Sequence, residues 1–266
     1  MRAFAELLDR LSLTASRNAK LVLVRDYLRS TPDPDRGWAL AALTGDLTFD
    51  AAKPAMIRRA VEARIDPVLF GWSYDYVGDL AETVALIWPP NPDHRANREP
   101  ELAEVIEALR TATRGEVPAL LEGWLDALEP KGRWALLKLM TGALRVGMSG
   151  RLARTAVAMM RPSEVREPPD PEGGEGSIPL EPVEASDIEE IWHALAPPYA
   201  ELFAWLEGRG ERPSGDAPGR FRPVMLAVAL DEAADFARLD PADYAAEWKW
   251  DGIRVQAVRE GGVARL

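Results

Sequence analysis

Apolar residues recur every three or four positions along most of the N-terminal part of the chain, which is the spacing of one face of an α-helix. Phe4, Leu7, Leu8 and Leu11 begin this pattern. Similar amphipathic segments follow at residues 18–28, 38–43, 53–64, 80–88, 101–111, 117–128, 133–144, 150–160 and 186–206. The alternation that is typical of β-strands is scarce here. The pattern therefore predicts an all-helical domain of about ten helices over residues 1–210.

Two polar segments interrupt this pattern. Residues 167–182 are rich in Pro, Gly and Glu, and we expect them to form a mobile acidic loop. Residues 211–219 have a similar composition and are interpreted as the linker to a second domain.

The pattern changes after this linker. Residues 244–248 and 253–258 have the period of β-strands, and Gly261-Gly262 is a hairpin turn signal before a return strand from Val263. Trp248 and Trp250 are expected to point into a domain core. We interpret residues 220–266 as the first strands of an α/β domain with an antiparallel sheet. Because a lone hairpin is marginal in water, we expect the chain to be the front part of a longer protein.

Composition narrows the possible classes of protein. The chain has no Cys and two His residues, His94 and His193, so a metal site built from Cys and His is not expected. It contains 47% apolar and 28% charged residues, with no uncharged apolar run long enough to span a bilayer, so we expect a cytoplasmic, monomeric protein with no membrane contact. The nine tryptophans are expected mainly in the core.

Charge is unevenly distributed along the chain. The net charge of −11 argues against a polyanionic partner, but residues 131–166 contain eight bases and one acid. The following residues, 167–190, contain nine acids and no base. A local basic surface is therefore predicted despite the acidic total.

The centre of this basic segment has the composition of a phosphate-binding turn. Gly147 would let the backbone approach a ligand, and Ser149 could cap a helix that begins at Gly150. The amides at the start of that helix would face a phosphate, with added charge from Arg145, Arg151 and Arg154. The alternative is a solvated basic helix pair. Thr14, Arg17 and Lys20 could touch DNA, but an exposed helix face is the preferred interpretation.

A second candidate site surrounds Lys249, in the sequence Glu247-Trp248-Lys249-Trp250-Asp251-Gly252-Ile253-Arg254. A lysine amine is a nucleophile only when burial or nearby positive charge lowers its pKa. Arg254 could supply this charge, Glu247 could bind a sugar or base, and Gly252 would permit a sharp turn. The alternative is an ordinary strand, turn and strand with charged tips.

The pattern K-x-D-G-x-R at Lys249 resembles the attachment motif of covalent nucleotidyltransferases, which include ATP-dependent DNA ligases, RNA ligases and capping enzymes. Three more segments resemble the DNA ligases: Arg220–Ala227, Ala143–Ser149 and Gly78–Thr83. Their order along the chain is similar to that in bacterial ATP-dependent DNA ligases with an N-terminal helical DNA-binding domain.

This resemblance implies that Lys249 attacks ATP with Mg²⁺ present, that AMP moves to the 5′-phosphate of nicked double-stranded DNA, and that the 3′-hydroxyl then seals the nick. It implies AMP contacts for Glu247 and Arg254, and motif support from Asp251 and Gly252. Only 17 residues follow Lys249, so we do not expect the 266-residue chain to be catalytic by itself. The alternatives are a non-catalytic module that binds nicked DNA and, with less support, an RNA ligase or capping enzyme.

Overall fold

The computed structural model describes residues 1–89, 98–142, 144–166, 177–216, 218–219, 230–245, 248, 252 and 255–266. These residues are mostly helical, as the sequence predicted. They form two compact units, Met1–Ile188 with Leu195–Pro213 and Glu189–Ala194 with Ser214–Leu266. The assignment of residues 1–210, 211–219 and 220–266 to a DNA-binding domain, a linker and an adenylation domain stays a prediction.

Most of the helices of the first unit agree in position with the predicted segments. In chain order they are α1 (Arg2–Leu13), α2 (Arg17–Ser30), α3 (Asp35–Thr44), α4 (Pro54–Glu62), α5 (Pro67–Val77), α6 (Leu80–Ile87), α7 (Leu102–Thr111), α8 (Val117–Ala127), α9 (Pro130–Thr141), α10 (Gly150–Ala158), the start of α11 (Ala185–Ile191) and α12 (Ala200–Leu206).

The core of this unit is built from the apolar stripes that the spacing predicted. In α1, Phe4, Leu8 and Leu11 are fully buried, and α1 packs against α2 and α9. Leu28 of α2 and Leu136 of α9 are fully buried as well. Each such side chain contributes roughly 1.5–3 kcal/mol relative to an exposed one. Helix α10 packs against α2 and α3, which fixes the position of the turn that precedes it.

Helix α5 was not predicted, because its apolar residues do not follow a single stripe. Phe70 is buried, but Val68, Leu69, Trp72 and Tyr76 are between 54% and 93% exposed. The expectation that the tryptophans lie mainly in the core is therefore wrong for Trp72. It holds for the buried residues Trp38, Trp88, Trp192 and Trp205.

A small hairpin interrupts the helical unit, so the prediction of an entirely helical domain is wrong in this detail. Strand β1 (Glu164–Arg166) pairs antiparallel with β2 (Ser177–Pro179), with Val165 opposite Ile178. The predicted acidic loop, residues 167–182, thus ends in paired backbone at residues 177–179. Residues 167–176 lie outside the described residues.

The second unit contains the predicted C-terminal hairpin. Strand β3 (Val258–Glu260) pairs antiparallel with β4 (Val263–Arg265), and Gly261 and Gly262 form the turn with positive φ angles. The unit also contains helix α13 (Glu232–Asp235) and two 3₁₀ helices, Trp192–Ala194 and Pro241–Asp243.

Of the two predicted strands at residues 244–248 and 253–258, the described residues other than Val258 are not in strands. Tyr244 and Ala245 follow the second 3₁₀ helix without regular structure, and residues 255–257 are also irregular. Alternation alone does not make a strand, because a strand also needs a neighbour for its backbone hydrogen bonds. Of the described residues in this unit, only those of β3 and β4 pair as strands.

Candidate nucleic-acid interface

The turn between α9 and α10 alternates between buried and exposed residues. Val146 and Met148 are buried, whereas Arg145, Gly147 and Ser149 are exposed. Two apolar anchors therefore hold the turn against the core and direct the three predicted binding residues outward. Ala143, the first residue of the motif, lies outside the described residues.

Lys20 of α2 anchors the backbone of this turn. Its Nζ donates to the carbonyl oxygens of Val146 at 2.7 Å and of Gly147 at 3.1 Å. Only 8% of Lys20 is exposed, so the interpretation of this lysine as part of an exposed helix face is wrong. Sequence reasoning missed that Lys20 supports the turn, although Lys20, Val24 and Leu28 are spaced four residues apart and thus share one face of α2.

Gly147 is required at its position by its conformation and by its neighbour. Its φ of +64° lies in the left-handed region, which L-residues with side chains rarely adopt. A Cβ atom at Gly147 would also lie 2.4 Å from Lys20 Nζ. The glycine therefore makes room for the lysine ammonium beneath the turn.

Ser149 caps α10, as the sequence predicted. Its side chain accepts a hydrogen bond from the backbone N–H of Leu152 at 3.2 Å, and α10 begins at Gly150. The first turn of α10 contains no acidic residue. The start of the helix therefore combines backbone amides that lack helical partners with the positive end of the helix dipole, and no acidic residue lies in its own first turn.

Helix α10 is held at both ends by basic residues of α2. Lys20 binds the turn before α10, and Arg29 donates to the carbonyl oxygens of Met159 at 3.1 Å and Met160 at 2.8 Å. Because Lys20 and Arg29 meet opposite ends of α10, the two helices run in the same direction. This arrangement fixes the orientation of the first turn of α10.

The basic segment is less available for a partner than its composition suggested. Lys131 binds Glu6 and Asp9, and Lys138 binds Asp79 at 2.5 Å. Arg133 donates to the carbonyl oxygen of Leu125, and Arg161 to that of Trp205. These four bases stabilise the helical unit. In the part of the chain that the structure describes, Arg145 and Arg151 form neither an ion pair nor a side-chain hydrogen bond.

Arg154 differs from these two arginines because it is half-buried. Its Nη1 lies 3.4 Å from the position that a Cβ atom of Gly150 would take. Nearby, Asp46 accepts hydrogen bonds from the hydroxyl groups of Tyr199 and Thr44, each at 2.6 Å. Burial and the Asp46 carboxylate raise the pKa of Tyr199. Tyr199 therefore stays neutral and ties the residues before α12 to the end of α3.

The Gly78–Thr83 segment forms the joint between α5 and α6. Gly78 ends α5 with a φ of +75°, and Asp79 caps α6 by accepting from the backbone N–H of Glu82 at 3.0 Å. Burial alone would raise the pKa of Asp79, but the hydrogen bonds from Lys138 and from backbone amides outweigh it and lower the pKa. The segment thus fastens α6 to α9.

Most of the second candidate site lies outside the described residues. This applies to Glu247, Lys249, Trp250, Asp251 and Arg254, and to residues 220–227. Two neighbours of Lys249 are described. Trp248 is 84% exposed, so the expectation that it points into a core is wrong. A Cβ atom at Gly252 would meet nothing within 4 Å, so Gly252 borders open space.

Neither a metal cluster nor a membrane span is found in the parts of the chain that the structure describes. No group of three or more His, Asp or Glu side chains is arranged to hold a metal ion there. No helix there is both long and apolar enough to cross a bilayer.

Comparison with known proteins gives an informative similarity. No protein-family model matches the chain. DNA ligase 1 of Korarchaeum cryptofilum (strain OPF8) is 25% identical over 287 aligned positions, which cover 100% of this chain and 46% of the relative. The chain therefore spans about half the length of the curated relative that it matches. The predicted resemblance to DNA ligases is confirmed at this distance: the chain is similar to a DNA ligase over its whole length.

Proposed function

We propose that the chain is part of an ATP-dependent DNA ligase, with residues 1–210 as the DNA-binding domain. The similarity to a DNA ligase along the whole chain carries this proposal. An RNA ligase or capping enzyme is disfavoured because such enzymes lack a helical domain of this kind before the reactive lysine.

The helical unit supports a role in holding the DNA backbone. Arg145, Gly147 and Ser149 are exposed together on a turn that is fixed by two buried anchors and by Lys20. The capped start of α10 and Arg151 follow directly. Amides and arginines of this kind bind phosphates without reading bases, which suits an enzyme that seals nicks in any sequence.

Lys249 is the proposed nucleophile. Its amine would form a bond to the α-phosphorus of ATP, with pyrophosphate as leaving group. The AMP would then move to the 5′-phosphate of the nick, and the 3′-hydroxyl would displace it. Arg254 would stabilise phosphate charge and Glu247 would contact the AMP portion. Mg²⁺ would neutralise charge on the triphosphate, which is the usual carrier of this ion.

Labelling with ATP tests the proposed chemistry. Full-length protein incubated with α-³²P-labelled ATP and Mg²⁺ is expected to form a covalent adduct and to seal nicked DNA in preference to nicked RNA. Lys249→Ala should abolish both. Lys131→Ala is the matched control, because Lys131 is bound by Glu6 and Asp9 in the helical unit. This variant should leave adduct formation and sealing unchanged. Active sealing without any adduct would disprove the proposal.

A gel-shift titration tests the DNA-binding part separately. In the 266-residue chain, Arg145→Ala/Arg151→Ala should weaken binding to a nicked duplex and lower its salt dependence, because about one counterion is released for each neutralised phosphate. Arg114→Ala is the control, since Arg114 is an exposed arginine before α8 and away from the turn in sequence. Equal affinity of the double variant and the unmodified chain would exclude the proposed surface.

A further inference from the structure

Lys20 is a buried cation whose described partners are carbonyl oxygens, not carboxylates. Its ammonium has three N–H bonds, and two carbonyl oxygens, of Val146 and Gly147, accept from it. A carbonyl oxygen carries only a partial negative charge. Among the described residues no carboxylate balances this ammonium, although burying an uncompensated charge is costly.

Gly147 is the exposed residue that lies directly against the buried Lys20 ammonium. Gly147 itself is exposed, and Lys20 Nζ occupies almost the position of its missing side chain, at 2.4 Å from an ideal Cβ. Any other residue would cover the ammonium or displace it. A group that contacts the backbone at Gly147 would therefore come close to the Lys20 ammonium.

We propose that Lys20 is a further phosphate-binding residue, whose ammonium contacts one backbone phosphate of the duplex beside Gly147. This inference rests on the proposed function, since it identifies an additional cation of the same surface. It explains why a lysine occupies a position that an apolar side chain of α2 could fill. It also explains why the turn needs glycine directly above that lysine.

The salt dependence of binding distinguishes this direct contact from a purely structural role. One phosphate contact accounts for about a 3.5-fold change in affinity between roughly 50 and 200 mM salt. In the 266-residue chain, Lys20→Met should weaken binding to a nicked duplex and lower the slope of log affinity against log salt by about one. The ratio of the affinity of the unmodified chain to that of Lys20→Met should therefore fall by about 3.5-fold as salt rises over this range.

Two further variants make this result interpretable. Lys20→Gln retains a hydrogen-bond donor for the turn but has no charge, so it should show the same reduced slope of log affinity against log salt. It replaces Lys20→Met in the test if Lys20→Met perturbs folding. Lys131→Met removes a lysine charge that is already balanced by two carboxylates, and it should keep the full slope. Circular dichroism and thermal unfolding establish that each variant is folded.

The possible outcomes separate the two proposals. If both Lys20 variants bind more weakly but retain the full slope, Lys20 only supports the turn and the inference is overturned. The same holds if Arg145→Ala/Arg151→Ala weakens binding while Lys20→Met and Lys20→Gln bind like the unmodified chain. Absence of binding by the unmodified chain would instead remove the proposed DNA-binding function, and this inference with it.

Discussion

At the scale of single residues, Lys20 and Gly147 depend on each other although 126 or more positions separate Lys20 from the turn that it binds. The lysine could have been identified from its spacing with Val24 and Leu28, because a charged residue within an apolar stripe needs a buried partner. The partner itself could not be predicted. Backbone carbonyls carry no sequence signature, and the contact depends on how α2 packs against α10.

Substitution of Gly147 tests this dependence through stability. Gly147→Ala should reduce the free energy of unfolding by about 1–2 kcal/mol for the left-handed backbone. Displacement of Lys20 from its two carbonyls should add about 1–3 kcal/mol. Gly142→Ala is the control, because Gly142 has a φ of +67° but a Cβ there meets nothing within 4 Å. Equal losses in urea unfolding would show that Lys20 is not displaced.

The contact between Asp79 and Lys138 gives a second prediction at this scale. Asp79→Ala removes a helix cap and the partner of a buried ammonium, so it should cost about 2–3 kcal/mol. Adding Lys138→Met should recover part of this loss. Asp75→Ala, at an exposed position of α5, should change stability by less than about 0.5 kcal/mol. A similar effect of the Asp75 and Asp79 substitutions would contradict the assigned contact.

The lowered pKa of Asp79 also predicts how this stabilisation depends on pH. Folding lowers the pKa, so the stabilisation is complete above the ordinary value of about 3.9 and is lost as pH falls through the lowered value. The difference in unfolding free energy between the unmodified chain and Asp79→Asn should therefore be constant near neutral pH and shrink in acid. A difference that grows below about pH 3.9 would reverse the assigned sign.

At the scale of elements, helix spacing predicted α1, α2, α4, α6 and α7 to within a few residues because each buries one apolar stripe. Helix α5 has no such stripe. The residues that indicate a helix there are those at its ends, Asp66 and Pro67 at the start and Gly78 after the last residue. The hairpin β1–β2 could not be predicted, because its three-residue strands are too short to show alternation.

The cap at the start of α10 should affect both stability and DNA binding. Ser149→Ala should destabilise the protein by about 1 kcal/mol through loss of the cap. It should also weaken binding to a nicked duplex, since the first turn of α10 is the proposed phosphate contact. Ser73→Ala is the control, because the Ser73 hydroxyl only donates to the carbonyl oxygen of Leu69 within its own helix. If Ser149→Ala binds DNA with unchanged affinity, the DNA phosphate does not bind at the first turn of α10.

At the scale of the whole molecule, the distribution of charge matters more than its total. The chain carries a net charge of −11, and several bases of its basic segment are bound within the helical unit. The sequence predicted where positive charge concentrates. It could not predict which bases remain available, because ion pairs such as that of Lys131 with Glu6 join residues 125 positions apart.

This distribution predicts binding that is electrostatic but indifferent to sequence. Affinity of the 266-residue chain for nicked duplexes of different base sequence should agree within a few-fold, while it falls steeply with salt. Competition between duplexes of unrelated sequence measures this directly. A strong preference for one base sequence would show that side chains read base edges, which the proposed surface does not explain.

Locating the AMP by mass spectrometry tests whether Lys249 is the nucleophile. Full-length protein is incubated with ATP and Mg²⁺ and then digested. We expect one AMP on the peptide that contains Lys249, lost on addition of pyrophosphate and missing in Lys249→Ala. A protein that seals nicks while its AMP is attached to any other residue would contradict the account.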